Sequence, residues 1–310
     1  MTRISCRKQL ELFAEAEETE ELSLDDVRGT LDELYHYAGK FRTGQEFLDL
    51  LRFVSRFHFY SPYNAMLIHT QRPGAKFAAT PKRWWERYGY RVKAAANPIT
   101  ILRPMGPVMW VYDASDVEPG PNPKPLPKYV TDPFAVRAGS VGQELDCTIE
   151  NARRDGVLVS DHVAGSQRGG SIEEAVPGHY ITVSTDNRQM IDVPRRYELL
   201  ISTNLSREAK YATLTHELGH LYCGHLGSPN EKWWPDRRTL SHASREFEAE
   251  SVSHIVCGRL GIDDPADEYL SRYLVEGRTL PPISIETVFK AAHLIEKMGK
   301  KRLPPRKEED

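Results

Sequence analysis

His216 and His220 stand four residues apart in the stretch YATLTHELGHLYCGH, and Glu217 directly follows the first of them. On a helix, residues i and i+4 lie on one face, one above the other, so the two rings act together only if this stretch is helical. Both can then turn a ring nitrogen toward one metal ion, and Glu217, one step round, can act on a water held there. Zinc suits such a set. It brings the pKa of a coordinated water toward about 7, and a neighbouring carboxylate can take that proton and later deliver one to a leaving amine. Leu214, Leu218, Leu221 and Tyr222 make the surroundings apolar, as expected of a helix set in a core, and Gly219 lets another backbone approach it closely.

A catalytic zinc needs a third protein ligand, with water completing the tetrahedron. The spacing HExxHxxGxxH fails here, because Cys223 stands at the glycine position and Leu226 at that of the third histidine. His225 falls one residue early and reads as a helix-end or surface histidine. The better source is a second helix, SREFEAESVSHIVCGRLG, on which Glu246, Ala249 and Glu250 share one face. Glu248 points away from that face and reads as solvated. His254 and His242 read as a core histidine and an unassigned one, and Cys223 and Cys257 as small core residues.

TLTHELGHLYCGH followed by REFEAESVSHIV resembles the ImmA/IrrE-type metallopeptidases and the peptidase domain of ArdC-type antirestriction proteins, over about residues 195–262. The resemblance implies a zincin-like metallopeptidase domain in which an HExxH helix and a Glu-bearing helix lie against a small sheet. It implies zinc held by His216, His220 and Glu246, with Glu217 as catalytic base. Glu250 becomes the partner that orients a zinc histidine through its other ring nitrogen, and remains the competing ligand.

The four cysteines are scattered, which indicates neither a disulfide scaffold nor a cysteine zinc ribbon. The N-terminus turns acidic where a signal peptide needs an apolar core, and no apolar run reaches spanning length, so a cytoplasmic protein without a membrane partner is expected. Net charge is −3, but residues 30–115 carry 12 Lys and Arg against 6 Asp and Glu. Five prolines in EPGPNPKPLP mark a linker. The expected organisation is a charged arm (1–28), a smaller α+β domain (29–117), the proline-rich linker (118–130), the metallopeptidase domain (131–300) and a disordered tail (301–310). Strands and helices mix without regular alternation, so the class is α+β.

The upstream stretch FYSPYNAMLIHTQRPGAKFAATPKRWWERYGYRVKAAANPITILRP resembles the single-stranded-DNA-binding domain of ArdC-type proteins. Its RVKAAANPI turn departs from the usual glycine- and lysine-richer one. Single-strand binding needs aromatic platforms and cations along the backbone. Tyr63, Arg72, Lys82, Arg83, Trp84, Arg87, Arg91 and Lys93 are the candidates. The expectation is a zinc endopeptidase acting on a regulatory or foreign protein, such as a transcriptional repressor or a phage- or plasmid-related protein, with single-stranded DNA as second partner. Its alternative is a DNA-binding or antirestriction protein whose zinc domain is structural or dormant. Specificity is expected in surface loops such as 226–243, with Trp233 and Trp234.

Overall fold

Apolar residues at helical spacing between Phe47 and Val54 give α1 (Gly44–Arg56), whose inner face is fully buried. In the computed structural model the described residues are 44–103, 108–131, 139–163, 169–185, 189–262, 270 and 280–306. The expected N-terminal arm lies outside them.

Ser61 caps α2 (Pro62–Gln71) by accepting the Asn64 N–H, and Pro62 opens it without wasting a donor. Thr80 repeats the device for α3 (Pro81–Arg83), which continues as a π-helical turn, Trp84–Tyr88, closed by Gly89 at φ 73°. Around these lie β1 (Ala78–Ala79), β2 (Tyr90–Val92), β3 (Ile99–Leu102), β4 (Val108–Asp113) and β5 (Val117–Pro119). β1, β4 and β3 form an antiparallel sheet in that order, and β2 pairs antiparallel with β5. The open edge of β3 is covered by α2. The Asn64 amide exchanges two hydrogen bonds with the Leu102 backbone, each 3.0 Å, and Gln71 does the same with Thr100 at 2.8 and 2.9 Å. Among the described residues no strand pairs with this edge of β3, and two side-chain amides take up its hydrogen bonds instead.

Asp113 ties this unit together. It accepts the Lys76 and Phe77 N–H groups at 2.8 and 3.1 Å, and the Ser115 N–H and hydroxyl at 3.0 and 2.6 Å. Burial alone would raise its pKa, but these donors outweigh it and hold the carboxyl below 3.8. A depressed carboxyl stabilises the fold above its ordinary value and loses that stabilisation as pH falls through the folded one. Asp113→Ala is therefore expected to cost about 3 kcal/mol near neutral pH. Thermal melts should show the difference from wild type shrinking below the ordinary carboxyl value of 3.8.

The proline-rich stretch is not a free tether. Val117–Pro119 forms β5, the Gly120 and Lys124 N–H groups donate to Gly89 and Tyr88, and Val130, in the short α4 (Lys128–Thr131), is buried with Phe77, Trp84 and Tyr88. Proline cannot serve a central strand, but it can close an edge pair and line a small cluster.

Downstream come α5 (Glu144–Arg154), β6 (Val157–His162), β7 (Gly170–Glu174), β8 (Tyr180–Ser184), β9 (Met190–Pro194), β10 (Tyr197–Ser202), α6 (Arg207–Tyr222), α7 (His242–Leu260) and α8 (Ile285–Lys300). β10 is central, parallel to β6 and antiparallel to β7, while β8 and β9 pair as a separate antiparallel ribbon. The class is α+β. α1 shares one hydrophobic core with α6, α7 and α8: the Phe47 and Phe247 rings lie 5.4 Å apart, and a Cβ on Gly258 would come 2.8 Å from that of Ser55. Buried Arg259 of α7 donates to the Val54, Phe57 and Tyr60 carbonyls and pairs with Glu296 of α8 at 3.1 Å. The two segments that the proline-rich stretch separates in sequence are thus one packed body.

Residues 301–306 of the expected disordered tail are tied down. The Leu303 N–H donates to Asn151 at 2.8 Å, and Arg306 pairs with Asp155 at 3.1 Å while stacking over Trp233 and Trp234. Among the described residues, no helix is long and apolar enough to cross a membrane.

Candidate metal centre

Ser206 caps α6 by accepting the Ala209 N–H, which fixes where the HELGH helix begins, and Ser241 does the same for α7 with Ser244. The two helices meet closely because Gly219 has no side chain: a Cβ there would lie 3.2 Å from the Ala249 Cα. Between them runs a buried polar seam, in which the Thr215 hydroxyl reaches Ser253 at 3.1 Å and the Ala212 carbonyl at 2.9 Å.

This contact brings His216, His220 and Glu246 together, with one ligand atom from each lying within 4.8 Å of the others. The two Nε2 atoms are 3.2 Å apart, and the Glu246 carboxylate lies 3.4 Å from Nε2 of His220 and 3.7 Å from Nε2 of His216. A tetrahedral zinc with ligand bonds of about 2.0–2.1 Å needs donor atoms about 3.3 Å from one another. The ring nitrogens stand close to that separation, and each Glu246 oxygen faces one of them, so the donor set suits such an ion once one oxygen turns inward. Glu250 lies on the far side of His216, 3.6 Å from Nδ1, while Glu246 faces the shared space between the rings. His242, largely exposed, is 3.5 Å from Glu246.

The charges sort the two rings. Burial disfavours a charged His216, yet Glu250, Glu217 and Glu246 outweigh it and raise the ring's pKa. For His220, burial first and then the neighbouring His216 push the pKa down to about 2, so this ring is neutral, as a metal ligand must be. Glu217 is buried against β7. Burial raises its pKa, opposed by His216, reinforced by Glu246 and countered again by a hydrogen bond from the Ile172 backbone. A carboxyl moved upward in this way is suited to exchange protons.

Two sequence expectations fail beside this centre. His225 is not a surface histidine and Glu248 is not solvated; both are buried. α6 stops at Tyr222, and Gly224, at φ 82°, turns the chain so that the His225 N–H meets the His220 carbonyl at 3.0 Å. A Cβ on Gly224 would lie 1.9 Å from the Pro235 carbonyl oxygen, so this close turn excludes every larger residue. The loop after it then wraps the far face of α7 and covers Glu248 with Arg237, which grips both carboxylate oxygens at 2.6 and 2.7 Å. Within this loop the two tryptophans are held in place, while Glu231, Lys232, Asp236 and Arg238 are exposed. Trp234 is buried against Tyr197 and Tyr222, and its indole N–H donates to Gly227 at 2.8 Å, while Arg196 stacks on Trp233.

In the upstream unit the candidate DNA residues divide. Trp84 is 0% exposed, edge-on to Phe77, and donates to the Tyr112 carbonyl at 2.9 Å, so it cannot stack on a base. Its neighbour Trp85 is 53% exposed. Tyr63 is half-buried against the main core. Lys82 and Arg87 are exposed on the same turn as Trp85. Arg83 and Arg87 lie over the Phe77 and Tyr88 rings at 5.7 and 6.0 Å. Arg72 pairs with Asp116 at 3.1 Å, Arg91 with Glu118 at 2.8 Å, and Lys93 donates to the Ser115 carbonyl at 2.7 Å. Internal partners thus occupy part of the basic excess.

The chain matches no family model and no curated protein. Among solved structures it is similar to the metal-free crystal structure of the antirestriction protein ArdC from the R388 plasmid. The identity is 16% over 77% of this chain and 82% of that one, with a TM-score of 0.33, a likeness too slight to carry an argument. The ImmA/IrrE resemblance accordingly rests on the residues alone.

Sequence reasoning missed His225, Glu248 and Arg237 as neighbours of the metal candidates. The one local signal was Gly224, a glycine directly after the helix that can turn the chain back.

Proposed function

We propose that this chain is a zinc-dependent peptidase of the glutamate-liganded HExxH kind. The observation that carries the reading is the convergence of His216, His220 and Glu246, with the ring nitrogens 3.2 Å apart and the carboxylate oxygens 3.4 and 3.7 Å from them, near the separations a tetrahedral zinc site needs. His216 and His220 would hold the ion through Nε2 and Glu246 through its carboxylate, with Glu250 behind His216 orienting its ring. Zinc, when bound, polarises a water and the substrate carbonyl. Glu217 takes the proton from the attacking water and passes it to the departing amine. β7 lies beside Glu217 and pairs with β10 on one side, so an extended peptide could run along its other edge in strand register.

Metal analysis of purified protein tests the first step. One zinc per chain is expected in wild type, and loss of that zinc in His216→Ala and His220→Ala. Stoichiometric zinc retained by both variants would overturn the reading.

The second reading is a DNA-binding protein in which the zinc domain is structural or dormant. What favours it is the exposed ring of Trp85, with exposed Lys82 and Arg87 within three residues of it in sequence. It predicts that Trp85→Ala weakens single-stranded DNA binding by about 1–3 kcal/mol, while Trp84→Phe leaves affinity unchanged. Fluorescence anisotropy with a labelled oligonucleotide reads both.

A further inference from the structure

Behind His220 lies a line of buried groups that the ligand set does not use. His220 Nδ1 and His225 Nδ1 are 3.0 Å apart, and His225 Nε2 is 2.9 Å from Glu248. Glu248 also accepts two hydrogen bonds from Arg237 and one from the Ser284 N–H at 2.6 Å. Among the described residues every outer partner of Glu248 is a donor, so the carboxylate is an acceptor only. It must therefore take a proton from Nε2–H of His225. A neutral His225 with its proton on Nε2 carries a lone pair on Nδ1. The only proton that can fill the 3.0 Å gap then belongs to His220, as Nδ1–H. That leaves Nε2 of His220 with its lone pair pointing at Nε2 of His216 and at Glu246, the place a cation would take.

Cys223, His225 and Glu248 also form a cluster of potential ligand atoms within 4.8 Å. Arg237 already neutralises Glu248 there, and His225 spends both ring nitrogens on hydrogen bonds, which argues against a second ion.

We infer that Arg237, Glu248 and His225 form a positioning relay that locks His220 in the tautomer able to bind a metal through Nε2. The relay rests on the zinc reading for its purpose, but the tautomer is a property of the metal-free chain. Arg237 reaches Glu248 from the loop after α6, and the Ser284 N–H reaches it from the N-cap of α8. Three separate parts of the chain thus converge on the orientation of one ring. His216 has a simpler arrangement, a single carboxylate, Glu250, at 3.6 Å.

The test has two arms. Two-bond nitrogen–proton correlation NMR on metal-free wild-type protein reads the His220 tautomer directly and needs no variant. The Nδ1–H form is expected. Zinc affinity, measured by competition with a chromogenic chelator, is then compared among wild type, His225→Leu and His225→Asn. His225→Leu should bind zinc about 10–100-fold more weakly. His225→Asn should recover most of that loss, because its amide oxygen can still accept the His220 proton. An Nε2–H His220 in wild type, or unchanged affinity in His225→Leu, overturns the relay while zinc binding stands. A wild type that binds no zinc overturns the metal reading instead, and the relay's purpose with it.

Discussion

Glu217→Gln is expected to leave zinc bound and the fold intact while lowering kcat for peptide hydrolysis by about 10²–10⁴-fold. The substitution keeps the size of the side chain and removes only its capacity to exchange a proton. Glu217 is buried against β7 and its pKa is raised, chiefly by burial, so the carboxylate sits where a proton can be taken and returned. It is not among the groups that meet at the metal position, so metal content should not follow activity down. KM should change little, because the interaction lost is one made in the transition state. A fluorogenic peptide library gives the rate and metal analysis the occupancy. Hydrolysis at the wild-type rate by Glu217→Gln would remove Glu217 from the chemistry, whereas no hydrolysis by the wild type would favour the dormant-domain reading.

Arg259→Ala carries the largest expected effect on stability, a loss of about 3–5 kcal/mol. The guanidinium is almost wholly buried, yet every direction is answered: Val54, Phe57 and Tyr60 offer carbonyls, and Glu296 offers the charge. Truncation leaves Glu296 as a buried carboxylate without that partner and three carbonyls short of a donor. Combining Arg259→Ala with Glu296→Gln should return part of the loss, since the stranded charge is gone. Urea denaturation followed by tryptophan fluorescence measures each. A change below about 1 kcal/mol would mean that the α1–α7 junction contributes little to stability.

The helices of this chain are legible because their signals are local. Ser61, Thr80, Ser206, Ser241 and Ser284 each accept a backbone N–H at a helix start. The pairing of HELGH with EFEAE is legible for the same reason, since helical spacing decides which residues share a face. β6, β7 and β9 are harder. β7, with the sequence GSIEE, is mostly exposed or half-exposed and carries no apolar alternation, so only its pairing with β10 makes it a strand. The relay behind His220 depends on a turn at Gly224 and on a loop returning from Pro235 and Arg237, contacts that no periodicity encodes. Trp84 and Trp85 show the limit of composition: one is core and one is surface, and only the register of the short helix decides between them.

The grip of Arg259 on the residues just after α1 also sets how this protein can be cut. An expression fragment beginning after the proline-rich stretch would keep both helices of the candidate metal centre but bare the side of α7 that Phe47, Val54 and Ser55 now cover. Such a fragment should aggregate, and residues 44–131 supplied as a second polypeptide should rescue its solubility. The two pieces would then work as a complementing pair, with restored zinc content reporting that they had found each other.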